Sequence, residues 1–226
     1  MTETPYRTAL IVGVGGGLSA SVARAFASAG MKIALASRRA ADLAGLAKEV
    51  GGEALACDAT KRGDVVHLFG APDVVVYNAS YRTRGALIEL DPAEVEKTLA
   101  VSAFGGFLVA QEAVKRMLPK KQGAILFTGA SASVKGYAHS APFAMGKFAL
   151  RGLAQSMARE LSPQNIHVAH VVIDGGIRSA GRPEPADKPD SMLHPDAIAQ
   201  TYLHLLQQQR SAWAWEIELR PWVERF

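Results

Sequence analysis

The segment Gly13-Val14-Gly15-Gly16-Gly17-Leu18 is the first with a means of binding chemistry, because four glycines in five positions leave its backbone bare. A pyrophosphate can approach N–H groups that no side chain shields, and a helix starting there adds its positive end. No Lys-Ser or Lys-Thr pair follows, so this is not the loop of a P-loop nucleotide hydrolase. Ser37-Arg38-Arg39 is the second such segment: two guanidinium groups suit a phosphate monoester, held by charge-assisted, bidentate hydrogen bonds.

Both segments need a scaffold, and the apolar pattern supplies one. Residues 8–14 form an unbroken apolar run, as in a strand buried on both faces, and Leu18, Val22, Ala25, Phe26 and Ala29 then recur at helical spacing until Gly30. The alternation predicts further strands at 32–36, 53–56, 73–77, 124–128, 166–173 and 216–219. Helices are predicted at 40–50, 61–69, 92–117 with a break near Gly105 and Gly106, 142–161, and 195–208. In the last strand region Trp213, Trp215, Ile217 and Leu219 alternate with Ala214, Glu216 and Glu218, and the tryptophans are expected to fill core or subunit contact. Such a series is α/β: a doubly wound parallel sheet, three-layer αβα, in a single domain over 1–226. The Pro-, Asp- and Ser-rich stretch near 179–195 reads as a loop on the ligand side of the sheet.

On this scaffold the glycines join the first strand to the first helix, and Ser37-Arg38-Arg39 ends the second strand. An NAD site would place an acidic residue there for the ribose hydroxyls; the guanidinium groups instead suit a 2′-phosphate, so NADP(H) is the expected cofactor. The glycine spacing also matches a loop for S-adenosylmethionine, a methyltransferase reading that Ser37-Arg38 opposes by its charge.

Taken in order, several motifs resemble the short-chain dehydrogenase/reductase family over nearly the whole chain. They are the Gly13, Gly17, Leu18 turn, Asp58, Tyr77-Asn78-Ala79-Ser80, Lys147 within Phe143-Ala144-Met145-Gly146-Lys147, and Gly175-Gly176-Ile177-Arg178-Ser179. The resemblance implies a Rossmann-type nicotinamide cofactor site. Asp58, with Ala59 beside it, would contact the adenine; Asn78, Ala79 and Ser80 would line the cofactor; Lys147 would hold the nicotinamide ribose; Ile177 and Ser179 would lie against the carboxamide. It also implies a small-molecule carbonyl or alcohol substrate, and a homo-oligomer, dimer or tetramer.

The family's proton donor is a tyrosine four residues before the lysine, one helical turn away, where the ammonium lowers the phenol pKa. Here that position is Phe143. The usual serine, counted back from Val134-Lys135-Gly136, falls on Ala130, with Ser131 one residue late, and the usual asparagine is Ser102. The third glycine of the cofactor turn is Ser19, and the proline before Gly175 is Asp174. Lys147 and Ser131 are therefore the catalytic candidates, with a water or a loop tyrosine, Tyr81 or Tyr137, as proton source.

The chain has 226 residues and a net charge of +4, with its basic residues scattered, which argues against nucleic acid as a partner. A lone cysteine, Cys57, excludes an internal disulfide framework and fits a reducing, cytoplasmic setting. The longest charge-free stretch, 8–23, is too short to span a membrane and sits behind Glu3, not a basic leader, so no signal peptide and no membrane association are expected. His139, His194 and His204 stand without carboxylate or cysteine clusters, so no metal site is expected. Function then divides between an NADP(H)-dependent oxidoreductase of atypical mechanism and an NADP(H)-binding protein without turnover, a sensor or structural subunit.

Overall fold

A computed structural model describes residues 4–68 and 70–225. Its strands are β1 (Thr8–Val12), β2 (Lys32–Ser37), β3 (Glu53–Ala56), β4 (Val74–Tyr77), β5 (Gly123–Thr128), β6 (Ile166–Ile173) and β7 (Glu216–Leu219). All pair in parallel, in the order β3-β2-β1-β4-β5-β6-β7. The α-helices are α1 (Leu18–Ser28), α2 (Ala44–Glu49), α3 (Arg62–Leu68), α4 (Pro92–Leu99), α5 (Gly105–Met117), α6 (Ala141–Leu161) and α7 (Pro195–Gln207).

Every residue of β4, β5 and β6 is buried, because helices cover both faces of the sheet. β1 sends Ala9 and Ile11 into one core with Val22 and Phe26 of α1 and Tyr202 and Leu205 of α7. It sends Leu10 and Val12 into the other, with Val109 and Ala113 of α5 and Leu150 and Leu161 of α6. Each fully buried Leu, Ile or Phe contributes about 1.5–3 kcal/mol, so these two layers hold the domain together without disulfides. Helix starts follow local chemistry: Asp91 accepts from the Ala93 N–H ahead of Pro92, and His194 does the same for Asp196 ahead of Pro195.

Several boundaries differ from the pattern. β1 stops at Val12, because Gly13 turns the chain at φ 85° and both Gly13 and Val14 donate to the Ala36 carbonyl. The predicted 40–50 helix opens as a 3-10 turn over Ala40–Leu43. No break occurs at Gly105 and Gly106. Instead α4 runs into α5 through a π turn at Ala100–Phe104, where the Tyr77 hydroxyl donates to the Val101 carbonyl at 2.5 Å. The predicted helix end at Phe69, like Glu3, lies outside the described residues. Among the described residues no helix is long and apolar enough to cross a membrane, and no group of three or more His, Cys, Asp or Glu could hold a metal.

Candidate cofactor and active site

Strand order reverses between β1 and β4, and the loops leaving the C-terminal ends of the strands open there. Gly13 seals the crevice floor: a Cβ added to it would lie 2.3 Å from the Ala79 nitrogen, and the Asn78 amide donates to its carbonyl at 3.1 Å. Beyond it the loop is bare. Added Cβ atoms on Gly15, Gly16 or Gly17 would meet nothing within 4 Å, and no side chain caps α1. Ser19, at the third-glycine position, is buried and fastens the loop by accepting from the Gly15 N–H at 2.9 Å.

A cavity of about 710 Å³ runs from Gly15 and Gly16 to Ser37, Arg38 and Arg39. The two arginines are not equivalent. Arg39 is tied to Asp42 at 2.6 Å, whereas the Arg38 side chain makes no hydrogen bond or ion pair among the described residues. An adjoining cavity of about 400 Å³ is lined by Arg38, Asp58, Ala59, Asn78, Ala79 and Ser80. Burial opposes ionisation of Asp58, yet hydrogen bonds from Thr60 and the charges of Lys61 and Arg38 outweigh it and hold its pKa below the usual range. Sequence reasoning missed Thr60, although an Asx turn at Asp58 would signal it. A third cavity, of about 660 Å³, brings Gly16 and Gly17 together with Arg178 and Ser179 from beyond β6. Ile177 pairs with Leu193 across the base of the 179–195 segment.

Lys147 shares the sheet-facing stripe of α6 with Leu150, Ala154 and Met157, which explains an ammonium only 3% exposed. Its Nζ donates to the Thr128 carbonyl at the end of β5, at 2.8 Å, and burial pulls its pKa down to about 8. Phe143 lies one turn earlier, with Lys147 Nζ 5.8 Å from its ring centroid and Arg82 Cζ at 4.6 Å. Ser131 opens the turn after β5, at the same sheet edge. Ser102 is fully buried and clasps the Tyr81 backbone, accepting from its N–H and donating to its carbonyl, each at 3.3 Å.

The two tyrosine candidates fare differently. Tyr81 is committed elsewhere, donating to Glu94 at 2.5 Å and accepting from Lys97 at 3.1 Å. Tyr137 is 46% exposed. Asp174 is buried and draws Lys135 and Arg220 together at 3.0 and 2.9 Å, while Trp222 donates to the Pro189 carbonyl, so the C-terminal segment straps the 179–195 loop. Trp213 stacks on His167, ring centroids 4.7 Å apart, and Trp215 lies under Arg151.

Residues 7–185 match the short chain dehydrogenase family. A short-chain dehydrogenase from Rhodopseudomonas palustris superposes with a TM-score of 0.83 at 35% identity, over 96% of this chain and 99% of that one. A metagenomic short-chain oxidoreductase in complex with NADP gives 0.83 at 26% identity, over 98% and 99%. The cyclic-di-GMP-binding biofilm dispersal mediator protein of Escherichia coli (strain K12) is 31% identical over 83% of this chain and 80% of its own.

Proposed function

The chain belongs to the short-chain dehydrogenase/reductase family, and from that premise we propose that it is an NADP(H)-dependent oxidoreductase of small carbonyl or alcohol compounds, working without the family tyrosine. The observation that carries this is the placement of buried Lys147 on the same sheet edge as the uncapped glycine cradle. The residues present fit a dinucleotide: bare backbone at Gly15, Gly16 and Gly17 for the pyrophosphate, Arg38 beside Ser37 for a 2′-phosphate, and Asp58 and Ala59 at the adenine end. Asn78, Ala79 and Ser80 would line the middle of it; Leu18 starts the helix whose positive end would serve the phosphates; Ile177 and Ser179 would border the nicotinamide end. The NADP complex of the metagenomic relative supports the same cofactor.

When bound, NADPH supplies the hydride. Lys147 would hold the ribose through ammonium protons not used on Thr128, and a pKa near 8 keeps a transferable proton at Nζ close to neutral pH. The Ser131 hydroxyl would donate to the substrate carbonyl oxygen. With Tyr81 engaged by Glu94 and Lys97, the final proton is assigned to water in contact with Lys147. Loss of a positioned general acid costs about 10²–10⁴-fold, roughly 3–5 kcal/mol of barrier, so turnover is expected to be slow rather than absent. The 179–195 loop would cover the substrate. Exposed Phe104 and Phe107 on the α5 side and Met145 and Phe148 on α6 support a homo-oligomer that covers them, and buried Cys57 is compatible with a cytoplasmic setting.

Phe143 favours a second reading, cofactor binding without turnover. NADPH oxidation across a panel of aldehydes, ketones and oxo acids separates the two. Substrate-dependent oxidation above the protein-free rate supports the oxidoreductase, and binding of NADPH with no turnover on any carbonyl supports the alternative.

A further inference from the structure

Three exposed arginines, Arg82, Arg84 and Arg182, lie near enough for the charges of the second and third to act on the first, and they have no anionic partner among the described residues. Arg82 follows Tyr81, whose backbone is clasped by Ser102, and its guanidinium lies 4.6 Å over the Phe143 ring. Arg84 lies two residues further, on a loop joined to the next by the Gly85 N–H bond to the His139 carbonyl at 3.1 Å. Arg182 comes from the opposite side: the 179–182 turn folds it back on Gly176, where an added Cβ would lie 2.8 Å from its Nη2. None of the three forms an ion pair or a side-chain hydrogen bond among the described residues. Burial lowers the Arg82 pKa, and the charges of Arg84 and Arg182 lower it further.

Like charges gathered without a counter-ion raise the energy of a free protein, and their summed field attracts a ligand of opposite sign. The location matters as much as the charge. Phe143 is flanked by Arg82 and by Lys147, so the cationic group adjoins the ammonium assigned to the reaction. An aromatic face in place of a phenol holds a guanidinium there by cation–π attraction. Arg82 and Arg182 belong to separate loops and can close on one anion from two sides, with the fork geometry that carboxylate and phosphate oxygens match.

We propose that Arg82, Arg84 and Arg182 form a recognition site for an anionic substrate, a carbonyl compound bearing a carboxylate or phosphate a few bonds from the reacting carbon. This rests on the oxidoreductase reading for the carbonyl, but not for the anion. Arg82 anchors the anion above Phe143, Arg182 closes on it from the 179–195 loop, and Arg84 adds its field.

The test is calorimetric titration of the NADP⁺-saturated protein with two matched pairs: acetoacetate against methyl acetoacetate, and dihydroxyacetone phosphate against dihydroxyacetone. At least one anion is expected to bind about tenfold or more tightly than its neutral partner, and to weaken as salt rises. Whichever pair shows the preference distinguishes carboxylate from phosphate. Arg82→Gln and Arg182→Gln should each cut that preference about tenfold, whereas Arg210→Gln, remote from the crevice and bonded to the Ser162 and Pro163 carbonyls, should not. Equal binding within both pairs, or no binding by either anion, overturns the proposal. Failure of NADP⁺ to bind would sink the cofactor reading instead, and the same pairs titrated against the free protein would still decide this one.

Discussion

Lys147 and Thr128 are joined by a buried hydrogen bond from Nζ to the backbone carbonyl, 2.8 Å long, at the end of β5. Nothing anionic accompanies the ammonium in that bond, so desolvation alone sets its pKa at about 8. On the proposed mechanism, reduction needs the ammonium form. The rate at saturating NADPH is therefore expected to be level below pH 8 and to fall about tenfold per unit above it. Lys147→Met should abolish turnover; a wild-type profile flat from pH 7 to 10 would remove the lysine from its assigned role.

Stability should move the other way over the same range. The folded pKa lies below the ordinary value of 10.5, so between about 8 and 10.5 the unfolded chain binds a proton the folded one lacks, and stability rises with pH. The gain is at most about 3 kcal/mol, and deprotonation of unfolded tyrosines above roughly pH 10 opposes it, since Tyr6 is pushed up to about 12 by burial and by Asp73. Urea melts at pH 8 and 9.5 on wild type and Lys147→Met check it. The rise should vanish in the variant.

Acid lability is assigned to His170. Its ring is fully buried, Nδ1 donates to Glu216 at 3.0 Å, and burial brings its pKa to about 4 despite the opposing pull of the Glu216 charge. Below pH 6.5 the unfolded chain gains a proton that the folded one refuses, so stability is lost as pH falls from 6.5 to 4, by up to about 3 kcal/mol. His170→Gln should flatten that slope in denaturant titrations. An unchanged slope would assign the acid sensitivity to the carboxylates.

Arg38 and Arg39 should part company on mutation. Arg38→Ala is expected to weaken NADPH about 10–100-fold, the loss of one charge-assisted pair, and to affect NADH little. Arg39 is already held by Asp42, so Arg39→Ala should weaken NADPH less than about fivefold. Calorimetry on both variants decides the order, and a larger loss from Arg39 would reverse the assignment.

Gly13 tolerates no side chain. Alanine there would combine a φ of 85° with a Cβ 2.3 Å from the Ala79 backbone nitrogen, so β1 and β4 would have to separate. Gly13→Ala should cost about 2–4 kcal/mol and lower the thermal midpoint by roughly 5–15 °C. Melting near the wild-type midpoint would contradict the tight contact.

The sheet was legible because short segments such as 166–173 and 53–56, apolar except at His167, His170 and Glu53, end at turns, and their strands fall on those residues. The glycine cradle was legible because bare backbone leaves a compositional trace. What no local pattern records is contact between loops: Arg82 over Phe143, Arg182 against Gly176, and Tyr81 captured by Glu94 and Lys97 join positions whose separation obeys no period. The expected helix break failed for a related reason, since the Tyr77 hydroxyl, at the end of β4, donates to the Val101 carbonyl inside a π turn that joins the two helices. Ser102 shows the limit of a family position, for its hydroxyl now serves the Tyr81 backbone.

The most direct test of an NADP(H)-dependent enzyme is titration of the wild-type protein with NADPH and with NADH under one set of conditions, read by calorimetry. NADPH is expected to bind at least about tenfold more tightly, because Arg38 stands beside Ser37 with no ion pair of its own among the described residues. Equal affinity, tighter binding of NADH, or binding of neither would contradict the account.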